Sequence, residues 1–171
     1  SHSAILQAGL GMAMSGVSFW GYDLGGFYNT GYIGNEERPN IEDYLSSVQM
    51  GLWMPLSRAH GKTPREPWQY GDMALKEVKK WINFRHRLVP YLYHTACQTH
   101  QSGIPMIRPL VMEYPKDPIA KIQNLSYMLG DALLISPGFD RDEYELYLPE
   151  GRWQDIESKE VYEGMTFVHI E

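Results

Sequence analysis

Along the chain the spacing of apolar positions changes once, from mostly helical recurrence to short alternating stretches. Ile5, Leu6, Leu10 and Met14 predict a helix over residues 3–14, closed by Ser15-Gly16. "VSFWGY", residues 17–22, is β-branched, aromatic and bounded by glycine, which predicts a buried strand apolar on both faces. From Asp23 to Asn40 the composition turns to Gly, Asn, Glu and Pro, predicting a long loop of the kind that usually carries function or disorder. Asn40 then caps a second helix, with Asp43 in its first turn and Ile41, Tyr44, Leu45, Val48 and Leu52 as its apolar stripe. That helix ends near Gly51–Pro55. "PLSRAH" reads as a second short strand and "KTPREPWQYG" as a proline-rich loop. A long helix runs from near Asp72 to about His100, with Leu75, Val78, Ile82 and Leu88 inward. Pro90 has no N–H for the His86 carbonyl and is expected to kink or break it.

Beyond "QSGIP" the pattern becomes that of strands. "MIRPLVMEY", "DALLISP", "EYELYLP" and "VYEGMTFVHI" are short β-type runs separated by Gly, Pro and Asp. Alternating helices and strands give way to strands alone, which predicts α/β units followed by an antiparallel β domain. The boundary falls near Ser102-Gly103, dividing the chain into residues 1–101 and 102–171. The opening residues already read as a helix and the last as a strand, so a piece of a longer protein is expected.

Composition narrows the function classes. The 171 residues are 43% hydrophobic, enough for one ordinary core or parts of two. A net charge of −6 argues against a nucleic-acid partner, which requires a basic face. No apolar run approaches the roughly 20 residues of a membrane span, and no signal-peptide pattern opens the sequence. Cys97 is the one cysteine; it excludes an internal disulfide and fits a reducing compartment such as the cytoplasm without establishing it. It is expected as a buried helix thiol without a positioned base. The six histidines show no ligand-type spacing, so no metal is expected. His86, His94 and His100 read as solvated or capping. "GLGMAMSG" does not have the spacing of a dinucleotide fingerprint and precedes a strand instead of following one. Met12, Met14, Met50 and Met54 read as core filler.

"SRAHGKTPREPW" admits two readings. Arg58, His60, Lys62, Arg65 and Glu66 could be a solvated loop with local ion pairs. Alternatively, Asp23 and His60 each follow a strand at the same kind of position, and in a barrel of βα units the strand carboxyl ends converge on the active site. Beside Phe19, Trp20 and Phe27 such residues suit a sugar: aromatic faces take the C–H side of a pyranose, and Asp, His and Arg take its hydroxyls.

Six motifs in order, "SGVSFWGYDLGGF", "MPLSRAHGKTPREPW", "RHRLVPYLYHTA", "GIPMIRPLVMEYP", "YMLGDALLISP" and "YLPEGRW", make the chain resemble glycoside hydrolase family 31 from about Gly9 to Gly164. This is the family of α-glucosidases and α-xylosidases. The resemblance implies the last part of a (β/α)8 barrel over residues 1–101, with "VSFWGY" and "PLSRAH" as its final strands. Part of an antiparallel β-sandwich domain would follow over 102–171. It implies a retaining enzyme that uses two aspartates and no cofactor, acting on α-linked oligosaccharides or glycosides. Neither aspartate motif matches these residues; both are expected upstream, leaving the isolated chain inactive. By motif position His60 matches the family's sugar-binding histidine and Phe27 the aromatic that closes the pocket. Asp23 and Arg58 match polar residues that orient this wall, with Trp20 beside them. A non-catalytic carbohydrate-binding or scaffold protein that keeps the wall is the alternative.

Overall fold

A computed structural model describes residues 2–27, 38–139 and 143–170. Helix α1 (His2–Met14) leads into strand β1 (Gly21–Leu24), helix α2 (Ile41–Gly51) and strand β2 (Leu56–Ala59). β1 and β2 pair in parallel, Gly21 opposite Leu56 and Asp23 opposite Arg58. The expected strand over 17–22 is thus shifted toward Asp23. Before Gly21 the chain runs past the second half of the protein, where the Ser18 carbonyl accepts from Met106 N at 3.4 Å. Of the expected loop, Asp23 and Leu24 belong to β1, and residues 28–37 lie outside the described residues.

α1 buries Leu6, Gly9, Leu10 and Ala13, whereas Ile5 and Met14 face outward. The cause is Trp20, whose ring occupies the space where a Cβ on Gly9 would sit, only 2.2 Å away. The small-residue side of the helix is therefore the one that packs. α2 follows its expected cap, Asn40 Oδ1 accepting from Asp43 N at 2.8 Å, and buries Tyr44 and Val48 fully. Ser47, Met50 and Gly51 widen that buried face.

Helix α3 (Gly71–Ser102) runs through Pro90 without a break; of the expected kink or break, the break does not occur. Pro90 and His86 are both exposed, so water can reach the carbonyl that proline leaves without its N–H. Ala74 and Val78 are buried, Ile82 and Leu88 half-buried, and Leu75 points out. Cys97 is only half-buried, not the buried thiol expected.

The second half holds three small antiparallel sheets. β3 (Ile107–Pro109), β4 (Tyr127–Leu129) and β5 (Leu133–Ile135) form the first; β6 (Tyr144–Leu148) pairs with β9 (Thr166–Ile170), and β7 (Arg152–Gln154) with β8 (Val161–Glu163). Two expected runs divide. "MIRPLVMEY" leaves the sheet after Pro109 and turns into the short helix α4 (Leu110–Glu113). "VYEGMTFVHI" splits at Gly164-Met165, where Met165 takes a φ of 58° and Gly164 N donates to Gly151 O at 2.7 Å. One hydrophobic cluster crosses both halves, joining Leu10, Leu24, Val48 and Val78 to Ile107 and Leu129.

Outside this cluster, Ile5, Val17, Phe19 and Leu56 are exposed around the two-stranded parallel sheet. Apolar area and strand edges of this kind favour association. The isolated chain is expected to bind a hydrophobic dye and to self-associate in sedimentation. A sharp cooperative melt from a dye-free monomer would contradict this.

Candidate functional site at the ends of the parallel strands

Because β1 and β2 run parallel, both chains leave the sheet at the same end, and their following loops meet there. Arg58 Nε donates to Asp23 Oδ1 at 2.6 Å across the register pair, with the Arg58 side chain 68% exposed. Past Asp23 the chain reverses through Gly25 and Gly26, at φ of 83° and 73°, a region that side chains with a Cβ rarely adopt. Gly26 N donates to Asp23 O at 2.8 Å, closing the turn and delivering Phe27. The Phe27 ring lies 5.3 Å from the His60 ring, tilted by 45°. Lys62 N donates to Phe27 O at 3.0 Å, so backbone also joins the two loops.

A groove of about 960 Å³ opens here, lined by Ile5, Tyr22, Asp23, Phe27, Leu56 and Arg58 among others. The fold thus gathers Asp23, Arg58, Phe27 and His60 at one strand end. Trp20 is not with them: it is 7% exposed, packs on Gly9 of α1 and lines no part of this groove. Its place is the core beneath the wall. Among the described residues no group of three or more His, Cys, Asp or Glu side chains is gathered to hold a metal, and no helix is long and apolar enough to cross a membrane.

Three supports of the loops have roles that the sequence reading does not assign them. Gly25 N donates to Ser47 Oγ at 2.7 Å, and the Ser47 hydroxyl donates to the Tyr22 oxygen at 3.0 Å. Burial raises the Tyr22 phenol above its ordinary value, an effect that the Ser47 hydrogen bond partly offsets. Arg65, expected with the loop charges, is instead 2% exposed and donates to loop carbonyls. Tyr44, stacked on Tyr70 at 3.8 Å, donates to the Arg65 carbonyl at 2.9 Å. Burial, then the neighbouring Tyr70, pushes the Tyr44 phenol up to about 12, so it stays a donor at any ordinary pH. The one advance signal was Gly25-Gly26 itself, since a turn without side chains needs packing from elsewhere.

Comparison with known proteins identifies the assembly. The sequence model of the glycosyl hydrolases family 31 TIM-barrel domain matches residues 1–95, and that of the family's C-terminal domain matches residues 103–171. The chain belongs to glycosyl hydrolase family 31. An alpha-xylosidase of Saccharolobus solfataricus is 34% identical over 98% of the chain, which spans 23% of that protein. Neutral alpha-glucosidase AB of Mus musculus is 35% identical over 94% of the chain and is covered over 17% of its length. The cycloalternan-forming enzyme of Listeria monocytogenes, solved in complex with a pentasaccharide substrate, superposes with a TM-score of 0.89 at 33% identity. That match covers 99% of this chain and 17% of the enzyme. The chain therefore spans about a fifth of the length of these relatives. It holds two parallel strands of the barrel domain among its described residues, not a closed barrel.

The Asp23–Arg58 pair is open to solvent on its arginine side and should contribute little to stability. A double-mutant cycle with Asp23→Asn and Arg58→Met, followed by denaturant unfolding, is expected to give a coupling of about 0.2–1 kcal/mol. That coupling should shrink further in molar salt. A coupling above about 2 kcal/mol would show the pair to be sequestered from water.

Proposed function

We propose that these residues form one wall of the sugar subsite of a retaining α-glycosidase acting on terminal α-linked glucosyl or xylosyl residues. The observation that carries this reading is the meeting of Phe27 and His60 over paired strand ends, beside the Asp23–Arg58 ion pair. An aromatic face and a hydrogen-bonding ring nitrogen side by side suit a pyranose, which has an apolar C–H face and a rim of hydroxyls. In the proposed protein, residues 1–101 complete the barrel and 102–171 begin a β-sandwich domain against it. The ligand partner is an α-linked oligosaccharide or glycoside.

The chemistry proposed is a double displacement. One aspartate attacks the anomeric carbon as a second protonates the departing glycosidic oxygen, breaking that C–O bond and leaving a glycosyl ester. The second aspartate then takes a proton from water, whose oxygen attacks the same carbon and frees the first carboxylate. Two inversions retain the anomer. A sugar hydroxyl in place of water gives transfer instead of hydrolysis, a route consistent with a relative named as cycloalternan-forming. Both aspartates are proposed to lie upstream of this chain. His60 and Phe27 hold the sugar ring while its charge develops, and Asp23 and Arg58 orient the wall.

Incubation of the isolated chain with aryl α-glucoside and aryl α-xyloside is expected to give no turnover above buffer. Turnover that tracks the purified protein would overturn the upstream placement of the aspartates. If the upstream coding sequence encodes neither aspartate motif, the chain instead belongs to a non-catalytic sugar-binding protein.

In the protein carrying all of its natural coding sequence, His60→Ala is expected to lose on the order of 2–4 kcal/mol of transition-state stabilisation. That figure is typical of removing one hydrogen bond inside such a site. kcat should fall along with kcat/KM, because the bond tightens as the ring flattens. His86→Ala, on the exposed face of α3, serves as a near-neutral control. A folded His60→Ala variant with kcat/KM within a few-fold of the parent would remove His60 from the site.

A further inference from the structure

Arg65 is buried, at 2% exposure, yet none of the ion pairs among the described residues involves it. Its guanidinium faces loop carbonyls and the Thr63 hydroxyl instead. Nε donates to Gly25 O at 3.2 Å and Gly26 O at 3.0 Å, on the loop that delivers Phe27. Nη1 donates to Thr63 O at 3.0 Å, to Thr63 Oγ1 and to Pro64 O at 3.3 Å, on the loop that carries His60. The two sides of one rigid fork thus grip two loops.

The surrounding residues leave room for that fork. A Cβ on Gly25 would lie 2.5 Å from Arg65 Cδ, and one on Gly61 would lie 2.9 Å from both Arg65 Nε and Gly26 O. The Arg65 backbone is itself held, its carbonyl accepting from Tyr44 of α2. Burying a cation against carbonyl and hydroxyl dipoles is a costly way to stabilise a loop, and an apolar side chain of similar volume would often serve stability as well. What an apolar side chain cannot do is fix the spacing between two backbones. A lysine cannot do it either, since its ammonium is a single point and not a planar fork.

We propose that Arg65 is a positioning residue for sugar recognition, clamping the Phe27 and His60 loops at the separation the pyranose requires. The proposal rests on the glycosidase reading above and assigns Arg65 no contact with the substrate.

The test uses the protein with all of its natural coding sequence, assayed well below its melting temperature. Arg65→Met is made alone and with His60→Ala, and kcat/KM is measured on an aryl α-glycoside. Arg65→Met is expected to lower kcat/KM by about 10- to 100-fold in the parent, but at least threefold less in the His60→Ala background. There the group being positioned is already gone, and coupled residues do not add. A purely structural arginine would cost the same factor in both backgrounds; a difference below threefold overturns the proposal. If Arg65→Met does not fold, Arg65→Lys takes its place in the same cycle. If neither folds, Arg65 is a folding residue and the proposal falls.

Amide hydrogen exchange separates this outcome from failure of the glycosidase reading. If the parent has no glycosidase activity, that reading falls and exchange alone decides the clamp. Faster exchange at both Gly26 and Lys62 in the variant, with α2 unchanged, supports it, and any other pattern overturns it.

Discussion

The candidate site depends on the parallel pairing of β1 with β2. A parallel pair cannot be closed by a tight turn; its connection must cross over, and here α2 is the helical part of that crossing. The crossing brings Tyr44 and Val48 down onto the sheet and buries Tyr22 and Leu24 beneath them. Register then has consequences for chemistry. Tyr22 and Leu24 face the core while Asp23 faces out toward Arg58. A slip of one residue would turn Asp23 inward, where its charge would have no partner, and would send two apolar side chains into the groove. The core beneath the wall therefore decides which face of the strand carries a carboxylate.

The two buried arginines among the described residues show how one side chain type can do different work. Arg108, on β3, has a side chain only 6% exposed and sits between carboxylates. Its Nε lies 2.5 Å from Glu113 Oε1, and its Nη2 donates to Asp131 Oδ1 at 2.8 Å. It also reaches Gly130 O at 3.0 Å, tying β3 to the turn between β4 and β5. Its charge is neutralised locally, as a buried cation ordinarily requires. Among the described residues Arg65 has no ion-pair partner and meets dipoles. The first arginine belongs to the packing of the β half against the shared cluster. The second belongs to the geometry of two loops.

How much of this was legible in the sequence follows from how local each determinant is. The α2 cap and stripe were legible because Asn40, Asp43, Tyr44 and Val48 act within one helix. The convergence of Asp23 with His60 was legible because strand–loop order implies it in a parallel sheet. Long-range contacts were not. Nothing near Trp20 signals that its ring will fill the space over Gly9, moving it from the wall to the core and rotating the buried face of α1. Arg65 sits in a run of charges, and that composition predicts solvent. Only the placement of Gly25, far from it in sequence, together with that of Gly61 in its own loop, makes it an interior residue. For a related reason Pro90 does not break α3: its local cost is real, but the exposed face of α3 lets water meet it.

The proposed recognition surface and the stability of this region are supplied by different residues. The visible polar feature is Asp23, half-buried, with Arg58, which is open to solvent, and a pair exposed on one side contributes little to holding a fold. Phe27 and His60 are both exposed residues at the open end of the sheet. What holds them is less visible: the Gly26 and Lys62 backbone bonds, the Ser47–Tyr22 link and the Arg65 fork, all anchored on α2 and the core beneath. A ligand-facing surface built this way can change its side chains at small cost to the fold, because the backbone that presents them is fixed from behind. The same division explains why the anchoring residues are those with no direct signature of sugar chemistry. Their chemistry is directed at carbonyls and amides, and only through these at a ligand.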